Sequence, residues 1–317
     1  MEHSISVIIP AYNEESSIAQ LLDALLAQTV PCSEIVIADA GSTDKTAEII
    51  HHYVQRGHPI IYLTIGRAYP GKARNAAIKA TRGTIIASID AGCIPDRFWL
   101  ERITAPIFNN TADCVWGGFI PYAKTYFQNI YKIVHIYPPT YDAGDCLVSS
   151  YSFVSFAMST ALFEKTGYFP EHLRAAEDVI FARHIKNIPG LRHYQEPRAY
   201  VTWYISATPS TFITKIFTYT YHMASAGINK RRFITLLIRY SSCALCAIYS
   251  VPLAGALLAG YLILKSLYLA YKHKAFHFMT PHSMITIMLV ILCGETATIS
   301  GFICASFMRR TPIISKE

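Results

Sequence analysis

The sequence predicts an α/β domain with a mainly parallel sheet, followed by a C-terminal hairpin of two transmembrane helices. Three observations lead there. Val- and Ile-rich runs such as Ser6–Pro10 and Ile35–Asp39 end abruptly in small, turn-forming and acidic residues, as buried parallel strands do at their carboxyl ends. Strand and helix signals then alternate through the first hundred residues, which implies right-handed βαβ units. Finally, no charged side chain lies between Ser241 and Leu264, and only Glu295 between Ser283 and Met308. Each window reaches the ~20 residues needed to cross a bilayer core.

Taken in order, Ile5–Pro10 reads as strand, Ser16–Gln28 as helix, Glu34–Asp39 as strand and Asp44–Gln55 as helix. Ser42, Thr43 or Asp44 can cap that second helix, because a short oxygen-bearing side chain accepts from an orphan backbone N–H. Ile60–Leu63 reads as strand, Gly71–Ala80 as helix and Thr84–Asp90 as strand. No G-x-G-x-x-G follows the first strand, which argues against a dinucleotide-binding domain. After Asp96 come strand candidates at Trp116–Gly118 and Phe153–Met158, then a helix from Ala176 to Asn187. Between them Tyr122, Tyr126, Phe127, Tyr131, Tyr137 and Tyr141 surround Pro138 and Pro139. These read equally as core and rim aromatics or as an acceptor or membrane-contact surface, since Tyr has an apolar body and a polar tip. Phe212–Met223, with Lys215 and His222, reads as an interfacial helix leading to Lys230, Arg231 and Arg232. The expected organisation is a domain over residues 1–225, a basic juxtamembrane segment over 226–240, transmembrane helices over 241–264 and 283–308 joined by a 265–282 loop, and a basic tail over 309–317. Ala256 with Gly260 and Ala297 with Gly301 are placed for close helix packing, and Glu295 is expected to face a partner helix.

Composition agrees with this division. With 52% hydrophobic and 15% charged residues in 317, the chain is too apolar for an ordinary soluble enzyme. The net charge of +7 is concentrated around the C-terminal apolar runs, so a nucleic-acid footprint is not supported. Lys230, Arg231, Arg232 and Arg310 suggest that both ends of the hairpin face the cytoplasm. The opening Met1-Glu2-His3 runs straight into a strand without a signal segment, so an integral membrane protein with its large domain on the cytoplasmic side is expected. Cys32, Cys93, Cys114 and Cys146 show no paired spacing, Cys243 and Cys246 look like a C-x-x-C but lie inside the first apolar run, and all eight cysteines read as small hydrophobes.

Four blocks carry potential chemistry. Asp39, before Ala-Gly-Ser-Thr-Asp, is by itself a turn residue, yet a carboxylate there can also accept from ring N–H or ribose hydroxyls. Gly71-Lys72-Ala73-Arg74-Asn75 opens a helix, and a helix N-terminus with Lys and Arg favours bound phosphate. Asp90 closes a strand ahead of Ala91-Gly92. Glu177 and Asp178 begin a helix, where acids alone would only complement the macrodipole. Together, in this order, the blocks resemble the family 2 glycosyltransferases, inverting enzymes of the nucleotide-sugar-binding GT-A fold, over Ser4 to Tyr204.

The resemblance implies a transfer of sugar from a nucleotide diphosphate sugar to a hydroxyl acceptor. It places Pro10, Tyr12, Glu14 and Asp39 around the donor nucleotide, and makes Arg74, with Lys72 second, the diphosphate contact. Asp90 stands first in the family's D-x-D motif, where carboxylates reach ribose and a divalent cation, Mg²⁺ or Mn²⁺. Gly92 replaces the second carboxylate, so Asp90 is left to hold a hydrated cation with the substrate phosphates, and Trp203 replaces a His found in many relatives. Asp96 could substitute only if its turn folded back. The segment Gly167-Tyr168-Phe169-Pro170-Glu171 with Glu177, Asp178 and Arg183 resembles the family's G-x-F-x-E and E-D motifs, which makes Asp178 the general base. The membrane segments suggest a lipid or lipid-linked acceptor. Two rival readings are a degenerate membrane-bound nucleotide-binding scaffold and a sugar-nucleotidyltransferase, which would need a Gly-rich N-terminal phosphate loop that Pro10–Glu14 does not offer.

Overall fold

The computed structural model describes residues 4–136, 140–141, 147–148, 153–228 and 230–307; the expectations for Tyr137, Pro138 and Pro139 lie outside them. The chain forms two compact units, Met1–Tyr122 with Pro139–Tyr204, and Ala123–Pro138 with Ile205–Glu317.

Its elements are β1 (Ile5–Ala11), α1 (Ile18–Leu26), β2 (Glu34–Asp39), α2 (Thr46–Gln55), β3 (Ile60–Thr64), α3 (Pro70–Ala80), β4 (Ile85–Ile89), β5 (Cys93–Pro95), α4 (Trp99–Phe108) and β6 (Cys114–Tyr122). After α5 (Tyr126–His135), which belongs to the second unit, come β7 (Thr140–Tyr141), β8 (Leu147–Val148), β9 (Ser155–Ser159), α6 (Thr160–Thr166), α7 (Glu177–Lys186) and β10 (His193–Tyr204). The main path of the sheet runs β3-β2-β1-β4-β9-β6-β10-β5. β1 pairs in parallel with β2 and β4, and β2 with β3. β9 enters antiparallel to both β4 and β6. The alternating strands and helices of the first ninety residues therefore stand where the apolar runs place them, with no end shifted by more than two residues.

β1, β2 and β4 are Val/Ile-rich because both faces of this sheet are covered. On one face Val7, Ile9, Ile35 and Ile37 pack with Leu21 and Leu22 of α1, Ile50 of α2, and Trp99 and Ile103 of α4. On the other, Ile8, Val36 and Ile86 pack with Ala73 and Ala77 of α3, Phe163 of α6 and Phe181 of α7. Pro197, which has no N–H to give the ladder, sits where the β6–β10 register shifts between Glu196 and Tyr200.

The second unit contains α5, α8 (Pro209–Ser225), α9 (Lys230–Tyr249), α10 (Val251–Lys272) and α11 (Pro281–Phe307). The expected 241–264 span is corrected here. It straddles two helices, because Ser250 caps α10 by accepting from Leu253 N–H at 3.3 Å and Pro252 in the first turn lacks the N–H that would continue α9. Lys230, Arg231 and Arg232 consequently open α9, and 265–272 belongs to α10 rather than to a loop. Where two apolar spans were expected, three helices among the described residues, α9, α10 and α11, are long and apolar enough to cross a membrane. Glu295, 4% exposed on α11, accepts from Tyr240 at 2.8 Å and Tyr261 at 2.6 Å, and pairs with Arg239 and Lys265. It faces neighbouring helices as expected. The small-residue expectation holds in part: a Cβ on Gly260 would meet nothing within 4 Å, whereas one on Gly301 would lie 2.9 Å from the Phe217 carbonyl oxygen of α8.

Candidate active site

Parallel pairing of β1, β2 and β4 brings the residues after each strand to one edge, where ligands of open α/β sheets bind. The β1 and β2 loops are stitched together there. Asn13 N–H donates to Ser42 Oγ at 2.9 Å, Asn13 Oδ1 accepts from Thr43 N–H at 2.8 Å, and Glu15 N–H donates to Asp44 Oδ2 at 3.1 Å. Asp44 also accepts from Thr46 N–H at 3.0 Å, but the cap expected of it is corrected: Lys45 stands at the N-cap of α2, without a side-chain cap bond among the described residues. Pro10 is half-buried and Tyr12 exposed.

Asp39 is buried at the end of β2. Its Oδ1 accepts from Ser42 N–H at 2.8 Å and Ser42 Oγ at 2.7 Å, and its Oδ2 accepts from the Tyr62 hydroxyl at 2.6 Å. The turn role read from sequence is therefore present. Tyr62, on β3, is the partner that the sequence did not reveal, since nothing local marks it. Burial, with the Asp39 hydrogen bond and charge, pushes the Tyr62 phenol up to about 12.

Arg74 is the hub of the site. It projects from the first turns of α3, is 4% exposed, and its guanidinium bridges Glu177 at 2.5 Å and Asp90 at 2.8 Å. It also lies over the Phe169 ring at 5.6 Å. Burial works against its charge, but Asp90, Glu177 and Asp178 outweigh that and raise its pKa above the ordinary value. Its Nε is buried without a hydrogen-bond partner among the described residues. Lys72, by contrast, is exposed. Two neighbours fix this helix against the 169–171 segment. Asn75 exchanges hydrogen bonds with the Phe169 backbone at 2.9 Å in each direction and donates to Glu171 at 2.9 Å. At Gly71 a Cβ would come within 2.4 Å of the Pro170 carbonyl oxygen.

Glu177 and Asp178 open α7 directly after Ala176, whose φ of 68° is left-handed. That conformation is uncommon for a residue with a Cβ. Asp178 is half-buried and its Oδ1 accepts from Val179 N–H at 2.8 Å. Burial and the adjacent Glu177 push its carboxyl up to about 7 against the opposing pull of Arg74. Burial likewise raises Glu14, partly offset by the Ser17 hydrogen bond and reinforced by Asp90.

Asp90, Glu177, Asp178 and Glu14 thus share a neighbourhood with one buried cation, and carboxylate oxygens suit a hard divalent ion. Gly92 leaves open space beside them, with only Glu14 Oε2 near a would-be Cβ, at 4.0 Å. Among the described residues no three His, Cys, Asp or Glu side chains gather as a ready ligand set. Asp96 is committed elsewhere, to Arg102 at 3.0 Å and Tyr200 at 3.2 Å, and Trp203 stacks edgewise on Phe119. A separate open hollow of about 430 Å³ by Arg102, Tyr194 and Arg198 is lined by none of Asp39, Arg74, Asp90, Glu177 and Asp178.

Comparison with known proteins follows the same lines. The family description "Glycosyl transferase family 2" matches residues 6–167. Glycosyltransferase AglE of Haloferax volcanii is 36% identical over 118 residues, 36% of this chain and 38% of that protein. The Escherichia coli protein WfaP, named a UDP-Glc:alpha-D-GlcNAc-diphosphoundecaprenol beta-1,3-glucosyltransferase, is 30% identical over 166 residues, 51% of this chain and 61% of that one. Matches to the first curated relatives span well under half of those proteins. A mannosyltransferase from Pyrobaculum calidifontis, solved with GDP-Man and Mn²⁺, shares the fold with TM-score 0.54 at 18% identity, over 94% of this chain and 88% of that one.

Proposed function

Because the chain belongs to glycosyl transferase family 2, we propose that it transfers a sugar from a nucleotide diphosphate sugar to a hydroxyl acceptor, with inversion, and that Asp178 is the base. The carrying observation is the Arg74 bridge between Asp90 and Glu177, which sets a donor-side cation beside a carboxyl held near neutrality.

In this reading Pro10, Tyr12, Glu14 and Asp39 line the nucleotide pocket, and Lys72 and the α3 N-terminus face the diphosphate. Ionised Asp178 takes the acceptor hydroxyl proton, the oxygen forms its bond to the anomeric carbon, and the carbon–oxygen bond to the diphosphate breaks, releasing the nucleoside diphosphate. In this reading the N-terminus of α3, with Lys72 and Arg74, stabilises the charge that the transition state gathers on the diphosphate. A divalent cation, Mg²⁺ or Mn²⁺, would be held by Asp90 with substrate phosphates and water completing its shell, and would supply charge neutralisation for the leaving group.

A lipid-linked acceptor is supported by the membrane-capable helices and by the acceptor in WfaP's name. Cytoplasmic placement of the α/β unit is supported by Lys230, Arg231 and Arg232 at the start of α9. The experiment is Asp178→Asn in the full chain: nucleotide binding stays at the parent level while transfer falls by about 10²–10⁴. Turnover near the parent rate would remove Asp178 from the mechanism, and a parent that binds nucleotide without ever consuming donor sugar would favour a binding scaffold.

A further inference from the structure

Three helices of the second unit converge on one carboxylate. Glu295, midway along α11, accepts from Tyr240 of α9 and Tyr261 of α10 and pairs with Arg239 of α9 and Lys265 of α10. Before that point α9 follows the C-terminal half of α11, with Phe233 stacked on Phe302 at 4.7 Å. After it α10 follows the N-terminal half, where Leu269 shares a cluster with Ile287, Val290 and Ile291. Prolonged along α11, α9 would head for Pro281 while α10 would arrive from Phe307, yet Ser250 joins the two. Both must therefore leave α11 beyond Glu295, as the legs of a hairpin with Ser250 at its tip. Exposure agrees. Between Ser241 and Gly260 only Ala254 is buried, and Ile248, Tyr249 and Val251 at the tip are 76%, 90% and 71% exposed. The same stretch has no charged side chain, the nearest being Arg239 and Lys265. α11 differs, since Ile287 and Ile291 pack in one cluster with Ile130 and Ile133 of α5 and Phe212 of α8, helices that also carry Lys132 and Lys215.

We propose that the α9–α10 hairpin is a wedge that enters one leaflet of a lipid bilayer and turns back inside it, with Arg239, Lys265 and Glu295 held at headgroup level and α11 lying along the surface. Length decides between this and a full crossing. Ser250 lies ~11 residues beyond Arg239 and ~15 before Lys265, about 16 and 22 Å of helix, against a hydrocarbon core of ~30 Å. A crossing would put the three charged groups near the mid-plane, where ionised side chains are costly. A wedge leaves them in the interface, where Arg and Lys reach the headgroups and Tyr240 and Tyr261 sit at the polar boundary. Lys230, Arg231 and Arg232, exposed at the start of α9, extend the basic rim and favour anionic lipid. The tip is fitted to hydrocarbon as well. Ser250 N–H donates to the Cys246 carbonyl at 2.9 Å, its own carbonyl accepts from Ala254 N–H at 3.1 Å and its Oγ accepts from Leu253 N–H at 3.3 Å. Pro252 has no N–H to satisfy, so the turn meets these backbone needs without water.

The test is fluorescence of the full chain in vesicles of phosphatidylcholine and phosphatidylglycerol, carrying either Tyr249→Trp or Leu264→Trp, with the parent's three tryptophans as background. Both positions are exposed, so neither substitution disturbs packing. Quenchers are lipids brominated at shallow or deep acyl positions and, from water, acrylamide. The Tyr249→Trp signal is expected to lose most of its intensity to the deep bromines and little to acrylamide, while Leu264→Trp, beside Lys265, responds more to the shallow bromines. The reverse order, with Leu264→Trp the deeper and Tyr249→Trp reached by acrylamide, means a full crossing and overturns the proposal. Quenching of both by acrylamide, with bromine without effect, means a hairpin left in water and also overturns it. A Tyr249→Trp signal shielded from acrylamide yet indifferent to every bromine means that a second copy of the chain covers the tip, which overturns it too. None of these residues belongs to the α/β unit, so each outcome leaves the transfer reaction assigned to Asp178 to its own test.

Discussion

Asp178 and Arg74 oppose one another at the level of single charges. With Asp178 pushed up to about 7 by burial and Glu177, a base that must be ionised loses activity on the acid side, so kcat/KM is expected to fall as pH drops below about 7. Stability runs the other way. The folded state holds this proton more tightly than the unfolded chain, so the contribution is present at low pH and is lost as pH rises through about 7. Since Arg74 lowers the Asp178 pKa, Arg74→Gln is expected to move the acid limb of the pH profile upward. It also strips Glu177 of its buried partner, at a cost of about 3–5 kcal/mol in denaturant unfolding of the full chain. Gly71→Ala drives a Cβ toward the Pro170 carbonyl oxygen, 2.4 Å away, and should lower stability by about 1–3 kcal/mol and slow turnover, because the 169–171 segment leads to Ala176 and the base.

Among elements, the sharpest test is Gly301→Val. Gly301 is where α11 approaches the α8 backbone, with a would-be Cβ 2.9 Å from Phe217 O and 3.1 Å from Tyr221 N. The larger side chain should therefore cost about 1–3 kcal/mol in detergent melts, whereas Gly260→Val, facing open space, should cost far less. This contrast also shows how far the sequence was legible. The ends of β1, β2 and β4 were readable because a Val/Ile run stopping at an acid is a local signal, and Asp39, Asp90 and Asp178 were found that way or by likeness. Glu177 as the partner of Arg74, Tyr62 as the partner of Asp39 and α8 as the partner of Gly301 were not readable, because each pairs residues remote in the chain. The break at Ser250 was local and still missed. Hydropathy sums over Ser250-Val251-Pro252 as though the backbone continued, while the cap and the missing N–H end one helix and start another.

For the molecule as a whole, three membrane-capable helices change the expected topology. If α9, α10 and α11 all cross, Lys230–Arg232 and the Lys272–Lys274 turn lie on one face and the end of α11 on the other, against the expectation of both ends on one side. Cysteine labelling at position 316 in sealed vesicles, compared with position 231, should then give opposite accessibility; equal accessibility would mean an even number of crossings. The Arg74 bridge has a consequence for how such a catalyst can be re-purposed. The stretch matched to the family, residues 6–167, contains the residues proposed to face the donor but stops short of Glu177 and of Asp178, the proposed base. A chimera exchanging that stretch for a relative's would inherit a new nucleotide preference while keeping its own proton acceptor. Such a graft would work only where the incoming arginine found the resident glutamate, so one buried ion pair acts as the compatibility key between two separately heritable halves.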